Sequence, residues 1–442
     1  MAELEQDSPE WWLDRLSREL DKRRSKVELL DKYYEGEHPA PEHVRKVKLE
    51  TEYRVLMRQA VSNWPRLIVD AAQERLEVQG IRFGGRASDK AAWKVWQANS
   101  LDADAGLVQQ SALTVGHAFV IVWADKDGEP TITPEHASTT IVAYREGSRR
   151  ERAAALRRWQ DDDDRWYATV YLPDGLYKFR AAATGGTPRI DAWEEREVAG
   201  ETWPLANPLE VVPVVEFAVN RMLKPARYGT GRGEFDDVRT IIDRINTTVF
   251  SGMLAQAYAS FPIRALIGDK IRKNADGEIL PPFKIAVDHL IQIENPEGKL
   301  VQLDESNLES YIKFAEAHVR HLAAITKTPP HYLLGEMVNI SADAIRAAEA
   351  GLVSKVRGHM RSLGEAWEET MRLAFKIKND EKRASATDAA IIWKNPEIRS
   401  DAQLADAAVK LEPIVPWQML MEYLGYSPQE IAKAETYRSE SS

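Results

Sequence analysis

Three short clusters have residue types and spacing suited to chemistry, and each also has an ordinary structural interpretation. The first is the glycine-rich stretch YGTGRGE at 228–234, which precedes a predicted helix. Glycines at a helix N-terminus can present free N–H groups to a phosphate. No strand is predicted beside this stretch, no Lys-Ser/Thr pair follows it, and no acidic residue stands at the expected distance. The sequence therefore favours a flexible hinge over a nucleotide site.

The other two clusters could hold a metal ion. His318 and His321 lie three positions apart on a predicted helix, with His331 following, and such spacing is compatible with zinc. No carboxylate completes a motif such as H-E-x-x-H, so polar positions on an exposed or subunit-facing helix are the favoured interpretation. Four consecutive aspartates at 161–164 offer oxygen ligands for a divalent cation. They lack a loop glycine and spaced ligands, which favours a solvated turn.

The sequence gives no sign of an enzyme. It contains no G-x-S-x-G motif, no Walker A loop and no kinase signature. It also has no cysteine, which excludes thiolate metal sites, cysteine nucleophiles and disulfides. We therefore expect a non-enzymatic protein with no cofactor and no bound metal.

Hydrophobic periodicity predicts mainly helices around one β-rich section. The longest helix has an apolar stripe from Ile345 to Ala374, is expected to be capped by Ser341, and would be roughly 55 Å long. Short apolar runs separated by Asp-Gly and Pro-Asp-Gly turns predict strands at about 115–220. The fold class is thus α+β and mainly α. The predicted helices are 10–35, 64–77, 88–114, 234–259, 306–326 and 342–379.

The net charge and the distribution of basic residues limit the kinds of partner that the chain can bind. The 442 residues carry a net charge of −10, and the longest basic cluster, at 149–158, is followed at once by the aspartates at 161–164. Tight binding of duplex DNA normally requires a basic face. We expect neither a signal peptide nor a membrane span, because the start is acidic and no apolar run approaches 18 residues. The 13 tryptophans suit core packing or, alternatively, burial between subunits.

Several phrases, in this order, resemble the portal proteins of tailed bacteriophages, in particular the Gp6-like family of long-tailed phages. Each phrase alone has low specificity, but together they cover nearly the whole chain. They are DKYYEG at 31–36, WPRLIVD at 64–70 with RLEVQG at 75–80, the start of the β-rich section at 112–122, GEFDDVR at 233–239 with DRIN at 243–246, TKTPPHYLLG at 326–335 with SADA at 341–344, and WKNP at 393–396 with the stretch 400–410.

The resemblance implies a portal fold with an α/β wing, a two-helix stem, a small α/β clip, a tunnel loop with a long helix, and a helical crown. The order of predicted elements agrees with that plan. The implied boundaries are wing 1–232, first stem helix 233–259, clip 260–304, second stem helix 305–326, tunnel loop 327–341, long wing helix 342–379 and crown 380–442.

The resemblance also implies a ring, usually of twelve copies, at one capsid vertex in the virion, assembled in the host cytoplasm. Double-stranded DNA would slide through it without sequence preference. The implied partners are the terminase large subunit, then a head-completion adaptor, with major capsid and scaffold proteins around the ring. Two sets of site residues follow from it. The channel loop would use Lys327, His331, Tyr332, Leu333, Leu334, Glu336, Met337 and Asn339, and the clip would dock partners through Lys270, Arg272, Lys273 and Asp276.

Charge is consistent with a conduit. Neutralising many phosphates would make binding tight and salt-dependent, which opposes sliding. A ring of twelve chains would carry about −120, and screening would confine its repulsion to about 8–10 Å. Two alternatives remain open at this point. A minor capsid or scaffold protein would form no closed ring, and a nuclease of DNA metabolism would need spaced carboxylates in a cleft.

Overall fold

The computed structural model describes most of the chain. The described residues are 4–39, 51–84, 88–182, 186–223, 231–259, 264–267, 299–302, 308–335, 342–397 and 401–440. The chain divides into two compact units, one made of residues 1–39, 63–242 and 319–442, and the other of residues 40–62 and 243–318. Among the described residues, no helix is both long and apolar enough to cross a lipid bilayer.

The structure mixes helices and sheets, as the sequence predicts. The first half of the chain contains the helices α1 Pro9–Glu35, α2 Thr51–Gln59, α3 Trp64–Gln73, α4 Lys90–Ala98 and α5 Leu101–Val115, and the strands β1 Val78–Arg82, β2 His117–Ala124, β3 Pro130–Glu135, β4 Thr140–Tyr144, β5 Arg152–Gln160, β6 Trp166–Tyr171, β7 Gly175–Ala181, β8 Glu194–Glu195, β9 Leu205–Ala206 and β10 Val214–Ala218. Strands β2 to β10 correspond to the β-rich section expected at about 115–220.

The second half is mostly helical. It contains α6 Arg239–Ala259, β11 Arg264–Ile267, β12 Lys299–Gln302, α7 Leu308–Thr326, α8 Pro330–Leu334, α9 Ala342–Ile377, α10 Glu381–Ala384, β13 Ala390–Trp393, α11 Asp401–Leu411, α12 Trp417–Leu424 and α13 Pro428–Glu440. Strands β11 and β12 form an antiparallel pair, and β1 pairs antiparallel with β13.

Helix α1 packs on a six-stranded antiparallel sheet. Ser8 caps the helix by accepting from the N–H of Trp11 at 3.2 Å, and Gly36 ends it in the left-handed conformation. The sheet has the order β4-β5-β6-β7-β8, with β9 also paired to β7. Apolar residues four apart on α1 meet alternate residues of the strands, as their periods of 3.6 and 2 require. This α1–sheet core consists of Trp12, Leu13, Leu16, Leu20, Ile141, Ala143, Ala154, Leu156, Ala168, Val170, Leu172 and Phe179.

A second core forms where α9 covers the three-stranded sheet β10-β2-β3. Trp367 is fully buried there, with ring centroids 4.9 Å from Trp96 and 4.5 Å from Phe217. The burial of Trp12, Trp96 and Trp367 within one chain agrees with the core-packing interpretation of these tryptophans.

The single helix predicted at 88–114 is wrong, because the chain breaks it into α4 and α5. Ser100 adopts the left-handed conformation with φ 55°. Just before it, the side chain of Asn99 donates to the carbonyl of Pro130 and accepts from the N–H of Ile132, both on β3. These long-range hydrogen bonds stabilise the break. Helix α3 also ends at Gln73 rather than 77.

Candidate functional site

The described part of the predicted tunnel loop, residues 327–335, is folded rather than extended. Helix α7 ends at Thr326, and Lys327 takes the left-handed conformation with φ 54°. The N–H of Thr328 then donates to the carbonyl of Ala323 at 3.1 Å, which is the hydrogen bond of a Schellman C-cap. Pro329 and Pro330 cannot continue α7, but Pro330 begins the short helix α8. The 327–335 segment therefore contains a helical turn where the sequence predicted a loop.

The predicted channel residues of this segment differ in exposure. Lys327 is exposed, and His331, Tyr332 and Leu334 are half-buried. Leu333 is only 5% exposed, so little of its side chain is accessible in the single chain. Glu336, Met337 and Asn339, and the expected cap Ser341, lie outside the described residues.

Arg75 connects three parts of the chain around this segment. Its Nη2 donates to the Tyr332 hydroxyl at 2.8 Å and to Glu349 Oε1 at 3.2 Å, and its Nη1 donates to the carbonyl of Pro396 at 3.2 Å. The side chains of Arg75 and Glu349 are 9% and 5% exposed. His331 Nε2 lies 3.8 Å from the same carboxylate. The rigid fork of an arginine suits such simultaneous contacts.

A second buried ion pair lies further along α9. Lys355 Nζ is 2.6 Å from Glu234 Oε2 and donates to the carbonyl of Thr326 at 2.8 Å. His359 Nε2 lies 2.9 Å from Glu234 Oε1. We call Glu234, Lys355, His359, Arg75 and Glu349 the α9 anchor.

The charge state of Glu234 follows from these contacts. Burial alone would raise the pKa of its carboxyl, but the contact with His359 and the positive charge of Lys355 outweigh burial and lower the pKa to about 2. Glu234 is therefore ionised throughout the neutral range. A buried carboxylate with this pKa is suited to a fixed ion pair and not to proton transfer near pH 7.

Residues 231–234 are held by close backbone contacts. A Cβ on Gly231 would lie 2.0 Å from the carbonyl oxygen of Gly116, and one on Gly233 would lie 2.0 Å from that of Thr114. The N–H of Glu234 donates to the carbonyl of Leu113 at 2.7 Å. The hinge interpretation is thus wrong for 231–234, where glycine permits close packing; residues 228–230 lie outside the described residues.

Another buried group has the composition of an acid–base site but is closed. His117 Nδ1 lies 2.8 Å from Glu216 Oε1, and the Tyr144 hydroxyl donates to Glu216 Oε2 at 2.7 Å. Burial raises the pKa of Glu216, but the hydrogen bond and charge of His117 outweigh it and lower the pKa to about 2. The side chains of His117 and Glu216 are 6% and 4% exposed, so the group cross-links β2, β10 and β4 without access for a substrate.

The sequence-predicted metal candidates do not come together. His318, predicted on an exposed or subunit-facing helix, is buried, and its ring contacts Arg244 and the carbonyl of Phe314. The aspartates at 161–164 form the mostly exposed β5–β6 turn, where Asp161 accepts from backbone N–H groups. Across the described ranges no three His, Asp or Glu side chains are grouped to hold a metal ion. Lys270, Arg272, Lys273 and Asp276 lie outside those ranges.

Sequence reasoning missed the α9 anchor. A signal was available, because Glu349, Lys355 and His359 each lie three or four positions from the apolar stripe residues Ile345, Leu352 and Val356. Ionisable residues beside a buried stripe are placed where burial requires a charged or hydrogen-bonding partner. The identity of that partner is a tertiary property and does not follow from spacing.

The buried charges of this site fix backbone elements to one another. Comparison with known proteins gives the class to which the chain belongs. Residues 13–441 match the family described as phage portal protein, SPP1 Gp6-like, and the chain belongs to this family. The resemblance noted from the sequence phrases is thereby confirmed, and the chain is a structural component of a phage virion.

Two curated relatives support the assignment. The chain is 29% identical over 431 residues to the portal protein of Mycobacterium phage D29, with 92% of this chain and 83% of the relative covered. It is also 29% identical over 423 residues to the portal protein of Mycobacterium phage L5, with 90% and 82% covered.

Solved structures of gene transfer agent particles are more distant. One chain from the neck of an empty particle has 12% identity and a TM-score of 0.46, with 86% of this chain and 94% of that chain covered. A chain from the neck of a native particle, computed with C12 symmetry, has 12% identity and a TM-score of 0.43, with 85% and 93% covered.

Proposed function

We propose that this protein forms a closed ring of twelve copies at one vertex of the phage capsid, through which double-stranded DNA enters and leaves. The observation that carries the proposal is the family match over residues 13–441. The net charge of −10 supports it, because a ring of about −120 repels phosphate at short range and leaves DNA free to slide. The ring itself performs no chemistry, so a partner ATPase supplies the work.

The ring and its location are tested together. Purified rings have an expected mass of about 600 kDa, measured by native mass spectrometry. Because some portals stay monomeric when purified alone, a second experiment labels the C-terminus with gold and images virions by electron microscopy. Label at one vertex per particle supports the proposal. Label over the whole shell contradicts it and favours a minor capsid or scaffold protein.

The channel proposal concerns the 327–335 segment together with Glu336, Met337 and Asn339. Lys327 is exposed at the start of the segment. Lys327→Glu, repeated twelve times, adds strong repulsion toward phosphate, whereas Lys327→Arg preserves the charge. We expect both variants to assemble and only Lys327→Glu to package less DNA. If both variants package the same amount of DNA, the assignment of Lys327 to the channel is contradicted.

Replacing 331–339 by a Gly/Ser segment of equal length tests the whole channel loop. Ring assembly is expected to survive, while genome packaging or retention falls. Particles that fill and hold full-length DNA at the normal rate would show that the loop does not act in the channel.

The docking proposal concerns residues 260–304. We propose that Lys270, Arg272, Lys273 and Asp276 contribute to the surface that binds the terminase large subunit during filling and a head-completion adaptor afterwards. Charge reversal at these positions is expected to weaken both interactions and to leave the ring intact. Unchanged affinity for both partners contradicts this assignment. Major capsid and scaffold proteins are the proposed neighbours of residues 1–232.

A further inference from the structure

Lys355 connects the C-terminal end of α7 to the residues that precede α6. Its ammonium group lies between the Glu234 carboxylate, five residues before α6, and the carbonyl of Thr326, the last residue of α7. Its side chain is 11% exposed. The final carbonyls of a helix lack intrahelical donors, so this ammonium caps α7 with a charged hydrogen bond.

Glu234 is itself immobilised, which fixes the position of Lys355. The Asn220 side chain donates to Glu234 Oε1 at 2.8 Å, and the N–H of Glu234 donates to the carbonyl of Leu113. His359, one turn beyond Lys355 on α9, contacts the same carboxylate. The carboxylate is thus held on several sides, and Lys355 has a single favourable location.

The cap of α7 passes directly into the 327–335 segment. The hydroxyls of Thr326 and Thr328 are hydrogen-bonded at 3.0 Å, and the N–H of Thr328 donates to the carbonyl of Ala323. Both threonines are buried. The last turn of α7, Lys327 and Thr328 therefore form one unit with Lys355.

Arg75 holds the other end of the same segment. It contacts Tyr332 and Glu349 with the same nitrogen, and Glu349 lies six residues before Lys355 on α9. Six residues of helix span about 9 Å, so the two attachments are separated along one rigid element. The segment is connected to α9 near its start and near its end.

We infer that Lys355 and Arg75 are positioning residues, which attach the 327–335 segment to α9 so that it moves with that helix as one body. The role of the segment in DNA passage rests on the channel proposed above. In that channel the 327–335 segment is a rigid rim whose position stays the same while DNA moves past it. The attachment itself does not depend on DNA, and it is measured without it.

The test is hydrogen exchange by mass spectrometry on the purified full-length protein. Lys355→Met removes the ammonium but keeps most of the apolar stem. We expect exchange in a peptide covering 322–335 to rise about tenfold more than in a sheet peptide covering 166–172. Lys355→Arg retains a donor and a charge and is expected to restore most of the protection.

Lys376→Met is the matched control. Lys376 also lies on α9, is half-buried, and donates to the carbonyl of Leu209 at 2.6 Å. It lies 21 residues beyond Lys355 along α9, about 30 Å away, so its loss is expected to leave the 322–335 peptide at the wild-type rate. Arg75→Lys keeps the positive charge but loses the forked guanidinium group. This variant is expected to raise exchange in the 330–335 part of the segment and not in residues 322–329.

Two results overturn the inference. One is wild-type exchange of 322–335 in Lys355→Met, and the other is an equal rise in Lys355→Met and Lys376→Met, which indicates general loosening. Packaging by the same variants separates the two proposals. A selective rise in exchange with normal DNA packaging supports the attachment and contradicts the channel role of the segment.

Discussion

The α1–sheet core and the α9 anchor both exclude water, but they hold their elements by different forces. The core contains only apolar side chains, such as Leu156 and Phe179, which are nearly inaccessible to solvent. The anchor contains charged side chains, such as those of Glu234 and Lys355, which are 3% and 11% exposed. Apolar burial is non-directional and depends on the area removed from water. Buried ion pairs depend on geometry and protonation, and they are costly when one partner is missing.

The difference explains which region can set positions. A core of leucines and alanines tolerates repacking when volume is preserved, so it stabilises without fixing atoms to a fraction of an ångström. In the anchor, Arg75 and Lys355 each contact several oxygen atoms at hydrogen-bond distance. The region with the more demanding contacts is the one beside the 327–335 segment.

The largest expected effect is in the core. Phe179→Ala removes a ring that is 2% exposed and leaves a cavity, which is expected to lower the free energy of unfolding by about 3–5 kcal/mol. Urea denaturation followed by tryptophan fluorescence measures the loss. Because the core cluster holds no titratable group, the loss is expected to be the same at pH 7 and pH 5. A pH-dependent loss contradicts the contrast between the regions.

Glu234→Gln is expected to lower the free energy of unfolding by about 3 kcal/mol at pH 7, because Lys355 keeps a buried charge without its carboxylate. The pKa of Glu234 is lowered from its usual 4.5 to about 2, so its stabilisation is fully present above pH 4.5 and is lost as pH falls toward 2. The part of the difference from wild type that comes from the charge of Glu234 therefore shrinks as pH falls below 4.5. Glu194→Gln is the control, since Glu194 is 73% exposed and its ion pair is worth less than about 1 kcal/mol.

Arg75→Lys is expected to cost about 1–3 kcal/mol, because lysine keeps the charge but cannot contact Tyr332, Glu349 and Pro396 together. Chemical denaturation measures the global loss. If lysine is as stable as arginine at this position, the fork geometry does not matter and the anchor acts only through charge.

Tyr332→Phe has the smallest expected effect, about 1 kcal/mol, since it removes one acceptor and keeps the ring. The double variant with Arg75→Lys is expected to lose less than the sum of the two single losses, because both remove the same hydrogen bond. Strict additivity in this cycle would mean that the contact carries no energy.

Local signals in the sequence predicted much of the fold. The spacing of Trp12, Leu16, Leu20 and Leu30 predicted a helix at 10–35, and α1 is Pro9–Glu35. Pro-Asp-Gly at 173–175 predicted the β6–β7 hairpin, which forms with Leu176 opposite Tyr171. The family was identified because its phrases occur in order along nearly the whole chain. Each of these signals lies within a few residues of the structure it specifies.

What the sequence did not predict depends on residues far apart in the chain. Asn99 interrupts the helical pattern because its side chain donates to the carbonyl of Pro130 on β3, which lies 31 positions further along the chain. Arg75 reaches Tyr332 across 257 positions, and the ion pair of Glu234 depends on α9. Whether a charged side chain can be buried depends on such distant partners. The periodicity of the sequence therefore predicted none of the residues of the α9 anchor.

The close backbone contacts of Gly231 with Gly116 and of Gly233 with Thr114 have a consequence for how this chain can diverge. The shortest of these approaches, at 2.0 Å, are to backbone oxygens, and Gly116 also has φ 91°, which disfavours any other residue. A change at one of these positions cannot be compensated by a smaller residue at another, because glycine is already the smallest. In a saturation library these three positions are expected to accept no alternative, and paired libraries are expected to yield no rescued combination. Sequence variation in descendants of this chain will therefore accumulate at other positions, while these three glycines stay unchanged.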